Sequence, residues 1–207
     1  HSFIFANRSN GSRTLFNFPG VQQDIAYQLP KEEVTVILSD GHEPEISLAA
    51  IEKYSKALSV VDAGTCREST LKVAKASDYL VCSEDFARQY TGKNVDLQDW
   101  NNCEKIFGEV EKINGKYVVI TLGERGLLYR ICGELRHLPA YSAQAKDTTG
   151  AGDIFHGAFA YGLWKELPLV DILKLSSMAA SLSVRKLGSQ TSIPVLMDVE
   201  QELYKES

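Results

Sequence analysis

An α/β fold is predicted: a mostly parallel sheet with helices on both faces and a small β-hairpin ahead of it. Three features of the sequence predict it. Short apolar runs at residues 34–38, 59–62, 79–82 and 117–122 alternate with stretches of helical spacing, the pattern of strands buried between helices. Residues 2–7 alternate apolar and polar side chains, turn chemistry follows at 7–12 with Asn10-Gly11 at its tip, and 14–18 reads as the return strand. A small-residue loop at 147–153 runs straight into an apolar helix.

The elements follow in order. The leading hairpin is too small to stand alone. After Pro19-Gly20 the pattern changes, and residues 34–38 form a short apolar run that reads as a buried strand. A helix is expected over 46–58, with Leu48, Ile51, Tyr54 and Leu58 on one side. Residues 59–62 are a strand, 71–76 a helix and 79–82 a strand. Ser83 caps a helix whose first turn carries Glu84 and Asp85, and Gly92 ends it. Residues 100–112 are helical, and 117–122 is the strongest strand. Residues 126–131 and 135–138 form an antiparallel hairpin around Cys132-Gly133. Helices over 150–164, 169–186 and 198–204 complete the chain. Ligands of such sheets sit beyond the carboxyl ends of the strands. The Thr121-Leu122-Gly123 turn and the Gly150 loop both follow that rule.

The bulk numbers exclude several classes of function. The chain has 207 residues, 44% hydrophobic and 24% charged, enough for a full core. Its net charge is -5 with no basic run, which argues against a nucleic-acid partner. No apolar run reaches the ~18 residues of a membrane helix, and no signal peptide is visible. The first residue is His1 rather than a methionine, which leaves room for a start upstream. Cys66, Cys82, Cys103 and Cys132 are widely spaced with no C-x-x-C, so reduced thiols in a cytoplasmic protein are expected.

The chemistry concentrates in Asp147-Thr148-Thr149-Gly150-Ala151-Gly152-Asp153. Gly150 and Gly152 let the backbone approach a ligand. The N–H groups of the first turn, at Ala151, Gly152 and Asp153, point outward and favour an anion such as phosphate. A carboxylate there repels phosphate unless it serves to take a proton from an attacking hydroxyl. Loop and acid together suggest phosphoryl transfer to an alcohol, with Asp153 as general base and the helix start as anion hole. No Gly-Lys-Ser/Thr follows, so this is not a Walker A loop, and the third glycine of a dinucleotide fingerprint is absent.

That stretch, followed by Phe155, resembles the C-terminal signature of the ribokinase-like (PfkB) sugar kinases. Further segments match in order: Val60-Val61-Asp62, then Val118 through Gly126 with its Thr121-x-Gly123-x-x-Gly126 turn, then Ala179-Ala180 through the Gly188-Ser189-Gln190-Thr191-Ser192 loop. The resemblance covers the chain from about Val34 onward and is closest in feel to ketohexokinase and fructokinase-type members. It implies ATP and a sugar as substrates, Mg2+ as cofactor and K+ as a further ion. It implies nucleotide contacts at Thr121, Gly123, Gly126, Gly188 and Ser189. It implies a monovalent-cation loop of Asp147, Thr149, Gly188 and Ser192. Asp40 corresponds to a sugar-contacting position, and Arg13 to an arginine that reaches toward substrate. Asp40 reads equally as a strand-end turn, and Arg13 as a solvated hairpin residue. Asp147 also reads as a loop carboxylate holding backbone N–H groups, and His156 reads as structural.

Two departures stand out. Ser83-Glu84-Asp85-Phe86 occupies the place of the family's Asn-x-x-Glu, which helps organise magnesium, and this leans toward a ketose-type branch. The family's N-terminal portion, with its sugar-binding Asp and Gly-Gly segment, has no counterpart here. Residues 1–18 then read as a remnant of the lid hairpin, and 19–207 as the nucleotide-binding kinase domain. Such a segment is expected to be inactive alone, and a homodimer through the lid or the family's N-terminal part is open. Alternatives are a nucleoside or phosphosugar kinase of the same fold, or a non-catalytic binding module that retains it.

Overall fold

The computed structural model describes residues 2–6 and 13–17 by their backbone, and residues 27–206 in full. β1 (Ser2–Ala6) pairs antiparallel with β2 (Arg13–Asn17), Ala6 standing opposite Arg13. The expected hairpin tip at 7–12 lies outside the described residues.

Then come β3 (Val36–Ser39), α1 (Pro44–Lys53), β4 (Leu58–Ala63), α2 (Glu68–Ala76), β5 (Tyr79–Ser83), α3 (Glu84–Thr91), α4 (Trp100–Asn114) and β6 (Tyr117–Thr121). A 3₁₀ turn (Gly123–Arg125), β7 (Leu127–Ile131), β8 (Glu134–Leu138), α5 (Ala151–Trp164), α6 (Leu169–Ser183) and α7 (Leu196–Lys205) follow. The six strands β3 to β8 form one sheet in sequential order. β3 through β6 pair parallel, and β7 and β8 add antiparallel. Contacts divide the chain into two compact units. One comprises His1–Pro30, Tyr141–Phe159 and Pro168–Ser207; the other comprises Lys31–Ala140 and Ala160–Leu167.

In the sheet unit, alternate strand residues face a helix layer. Val61, Ala63, Leu80, Cys82, Val118, Ile120 and Leu128 pack with Val73 of α2, Phe86 of α3, and Ile106, Phe107 and Val110 of α4. The other face carries Val60, Val81, Val119 and Leu127, buried as well, which is why the central strands read as continuous apolar runs. In the other unit, α6 buries Ile172, Leu173, Leu175 and Met178, and Phe155 stacks near Phe159 with ring centroids 6.4 Å apart.

Several boundaries differ from expectation for physical reasons. The first expected helix, 46–58, runs instead from Pro44, whose fixed φ suits a first turn, to Lys53. Ser47 and Ala50 are its buried residues, and Ile51 of the expected side packs partly buried against the core. Leu58 leaves that helix to pair with Val36 in β4. β3 is not a buried strand: it is the edge of the described sheet, and Leu38 is 42% exposed. α6 stops at Ser183, three residues short of 186. The turn after β6 takes 3₁₀ form. The α3 caps are as expected: Ser83 Oγ accepts from the Phe86 N–H at 3.0 Å, and Gly92 closes the helix at φ +71.

Candidate active site

The 147–153 loop is built on buried Asp147. Its Oδ1 accepts the Thr149 N–H at 2.9 Å and its Oδ2 accepts the Gly188 N–H at 3.0 Å. One carboxylate thereby joins two loops that lie 41 residues apart in sequence. The approach to it is held as well, since the N–H groups of Lys146 and Asp147 both donate to the Val184 carbonyl, at 2.7 and 3.2 Å.

Gly150 follows at φ +81, and a Cβ there would fall 2.7 Å from Ser189 Cβ. Only glycine fits, because both the backbone angle and the neighbour exclude a side chain. The same construction places the Asp153 carboxylate 3.8 Å from that Cβ position. Gly150, Ser189 and Asp153 thus meet at one point. Asp153 and Gly152 are solvent-exposed in the first turn of α5. First-turn N–H groups have no intrahelical acceptor, so those of Gly152 and Asp153 are available to an anion. The Ala151 N–H makes a long contact of 3.3 Å to the Thr148 carbonyl.

The partner loop is a tight turn. Ser192 is buried, its N–H donates to the Gly188 carbonyl at 3.1 Å, and its Oγ donates to the Ser189 carbonyl at 3.2 Å. Gly188 sits at φ +86, with Thr191 Oγ1 2.8 Å from where its Cβ would be. Asp147, Thr149, Gly188 and Ser192 therefore come together as an oxygen-rich corner. His156, which the sequence suggests is structural, also touches this site. Its Nδ1–H donates to the Gly152 carbonyl at 2.7 Å from a buried position one turn on. The spacing of four residues is the signal for it in the sequence.

In the sheet unit, the turn after β6 is equally defined. Thr121 Oγ1 donates to the Cys82 carbonyl at 3.3 Å. Gly123 lies at φ +61, and the Leu122 N–H donates to the Gly126 carbonyl at 2.7 Å. Gly126, at φ +94, backs onto β8, where a Cβ would fall 2.1 Å from the Leu138 carbonyl oxygen. Arg125 within the turn pairs with Glu84 at 2.5 Å, a contact that sequence reasoning missed.

Asp40 stands at the carboxyl end of β3, and its carboxylate is engaged locally. Oδ1 accepts the His42 N–H at 2.9 Å, and Oδ2 lies 2.9 Å from His42 Nδ1. Arg67 Nη1 is 3.0 Å from His42 Nε2. An arginine can only donate, so Nε2 accepts and Nδ1 carries the proton toward Asp40. Arg13 opens β2 in the other unit.

Among the described residues, no cluster of three His, Cys, Asp or Glu side chains is placed to hold a metal ion. Among them, too, no helix is long and apolar enough to cross a membrane.

The model of the pfkB family of carbohydrate kinases matches residues 8–196. The chain is similar to ribokinase from Lactococcus lactis subsp. lactis, 31% identical over 180 residues that make up 84% of this chain and 55% of that protein. Among solved structures, ribokinase from Thermotoga maritima superimposes with a TM-score of 0.76 at 26% identity, covering 98% of this chain and 69% of that one. Ribokinase from Arabidopsis thaliana, complexed with ribose and ATP, gives 0.71 at 25% identity, covering 81% and 55%. The chain spans about half the length of the Lactococcus relative.

Proposed function

The chain belongs to the pfkB family of carbohydrate kinases, and from that premise we propose that it carries the phosphoryl-transfer machinery of an ATP-dependent sugar kinase. One observation carries the reading most: an exposed aspartate, Asp153, in the first turn of a helix that a left-handed Gly150 opens.

In this mechanism, the acceptor hydroxyl loses its proton to Asp153 as it attacks the γ-phosphorus of ATP. The bond from that phosphorus to the bridging oxygen breaks, and ADP leaves with the electron pair. The N–H groups of Gly152 and Asp153, with Ala151 beside them, face the charge gathering on the transferring group. Thr121, Gly123 and Gly126 contact the nucleotide, as do Gly188 and Ser189. Asp40 and Arg13 serve the acceptor side.

Magnesium neutralises phosphate charge when bound. Mg2+ would be held largely through the nucleotide's own phosphates, as is common for this ion. The corner of Asp147, Thr149, Gly188 and Ser192 presents oxygen donors, which suit a monovalent cation such as potassium. The relatives named above are ribokinases, which makes ribose the first acceptor to test. The Ser83-Glu84-Asp85-Phe86 departure keeps ketoses such as fructose beside it.

The test is calorimetry of ADP against the 207-residue chain. Saturable binding is expected, and binding that Gly126→Val abolishes in a folded protein supports the site. Failure of ADP to bind at millimolar concentration overturns the reading.

A further inference from the structure

Ser83-Glu84-Asp85-Phe86 stands at the start of α3, and the structure shows where its two carboxylates go. Asp85 pairs with Arg88 of its own helix at 3.0 Å. Glu84 reaches across to the 3₁₀ turn, with Oε1 2.5 Å from Arg125 Nη2. Arg125 is held from other sides too. Its Nη1 donates to the Val95 carbonyl at 3.1 Å. Its own carbonyl accepts from His137 Nε2 of β8 at 2.7 Å, and its N–H donates to the Leu122 carbonyl at 3.2 Å. One residue therefore ties the turn to the start of α3, to the loop between α3 and α4, and to β8.

The ion pair is too open to be a large source of stability, with side chains 37% and 31% exposed. Its worth is geometric. The turn contains two glycines at positive φ, Gly123 and Gly126. Glycines lose the most conformational freedom when ordered, so an unclamped turn would spread over many conformations. A ligand meeting such a turn has to order it first, which weakens binding.

We propose that Arg125 and Glu84 are positioning residues that preform the 121–126 turn for the nucleotide, and that Glu84 belongs to this clamp rather than to the metal ion. The proposal rests on the reading that this turn takes the nucleotide. The carboxylate at the start of α3 then orders the nucleotide turn rather than a phosphate-bound cation.

The experiment is a double-mutant cycle read by ADP calorimetry, with and without magnesium, alongside thermal midpoints. Wild type, Glu84→Gln, Arg125→Met and the double variant are compared. Each single change should weaken ADP binding about fivefold, and the double change no more than either alone, because both remove one clamp. The losses should be equal in magnesium and in chelator. A loss from Glu84→Gln seen only in magnesium would overturn the assignment in favour of a metal role. A lowered midpoint with unchanged ADP affinity would overturn it in favour of simple stabilisation. Absence of ADP binding by wild type would bring down the nucleotide reading itself, and this clamp with it. Should Arg125→Met fail to fold, Glu84→Gln decides alone, since it keeps the guanidinium, the turn backbone and the Ser83 cap.

Discussion

At the residue scale, Asp153 and Gly150 are both legible in the sequence. A carboxylate inside a glycine-bearing helix start is conspicuous, because it repels the anion its surroundings attract. The neighbours of Gly150 are not legible, because Ser189 comes from a loop far along the chain and no local pattern announces it. Asp147 illustrates the same limit. Its residue type fits a cation ligand and a backbone brace alike, and the structure adds that both its oxygens accept backbone N–H groups. Asp40 is engaged with His42 through both carboxylate oxygens, a local contact that either of its two readings accommodates. Asp153→Asn keeps size and helix start but removes the base, so turnover of the whole protein should fall on the order of 10²-fold. ADP affinity should hold or rise, because a negative charge near the phosphates is gone. Turnover within about threefold of wild type, by coupled ADP-release assay, would refute general-base catalysis there.

At the scale of elements, two constructions differ in purpose. In the sheet unit, Asp40 and the 121–126 turn stand at the carboxyl ends of strands, whereas the amino ends carry a brace. Asp78 accepts from the Ser59 N–H at 2.9 Å and from Ser59 Oγ at 2.8 Å, and Lys116 Nζ lies 2.8 Å from its other oxygen. Tyr79 and Tyr117 stack beside it with centroids 4.7 Å apart. Burial pushes the Asp78 carboxyl up, but the bonds from Lys116 and Ser59 outweigh it and hold it below the ordinary carboxylate value. A carboxyl depressed in the folded state stabilises fully above its unfolded pKa, and that contribution fades as pH falls through the folded value. Between about pH 6 and about pH 3, wild type should therefore lose more urea resistance than Asp78→Asn. Parallel curves for the two proteins would contradict the brace. In the other unit, the loop containing Asp147 and the loop containing Gly188 are joined through one carboxylate. If a monovalent ion joins them, potassium should raise activity above lithium at matched ionic strength. Equal rates in potassium, sodium, lithium and a bulky organic cation would rule out a functional ion in that corner.

At the scale of the whole molecule, the order of strands and helices is readable because a parallel sheet imposes its alternation on the sequence. Edges are harder. The run at 34–38 looks like a central strand by composition, yet β3 is the edge of the described sheet, and composition alone does not record what lies alongside a strand. The Arg125 and Glu84 clamp is also hidden in the sequence, since its partners are far apart along the chain and each side chain has an ordinary local role. The family is that of carbohydrate kinases, and the chemistry proposed for these parts is the transfer of a phosphoryl group to a sugar hydroxyl. Phosphorus NMR of the whole protein with ATP, magnesium and ribose or fructose tests that claim most directly. A new phosphate-monoester resonance should grow in step with ADP and disappear in Asp153→Asn. ADP accompanied only by inorganic phosphate, or no ADP with any sugar, would contradict it.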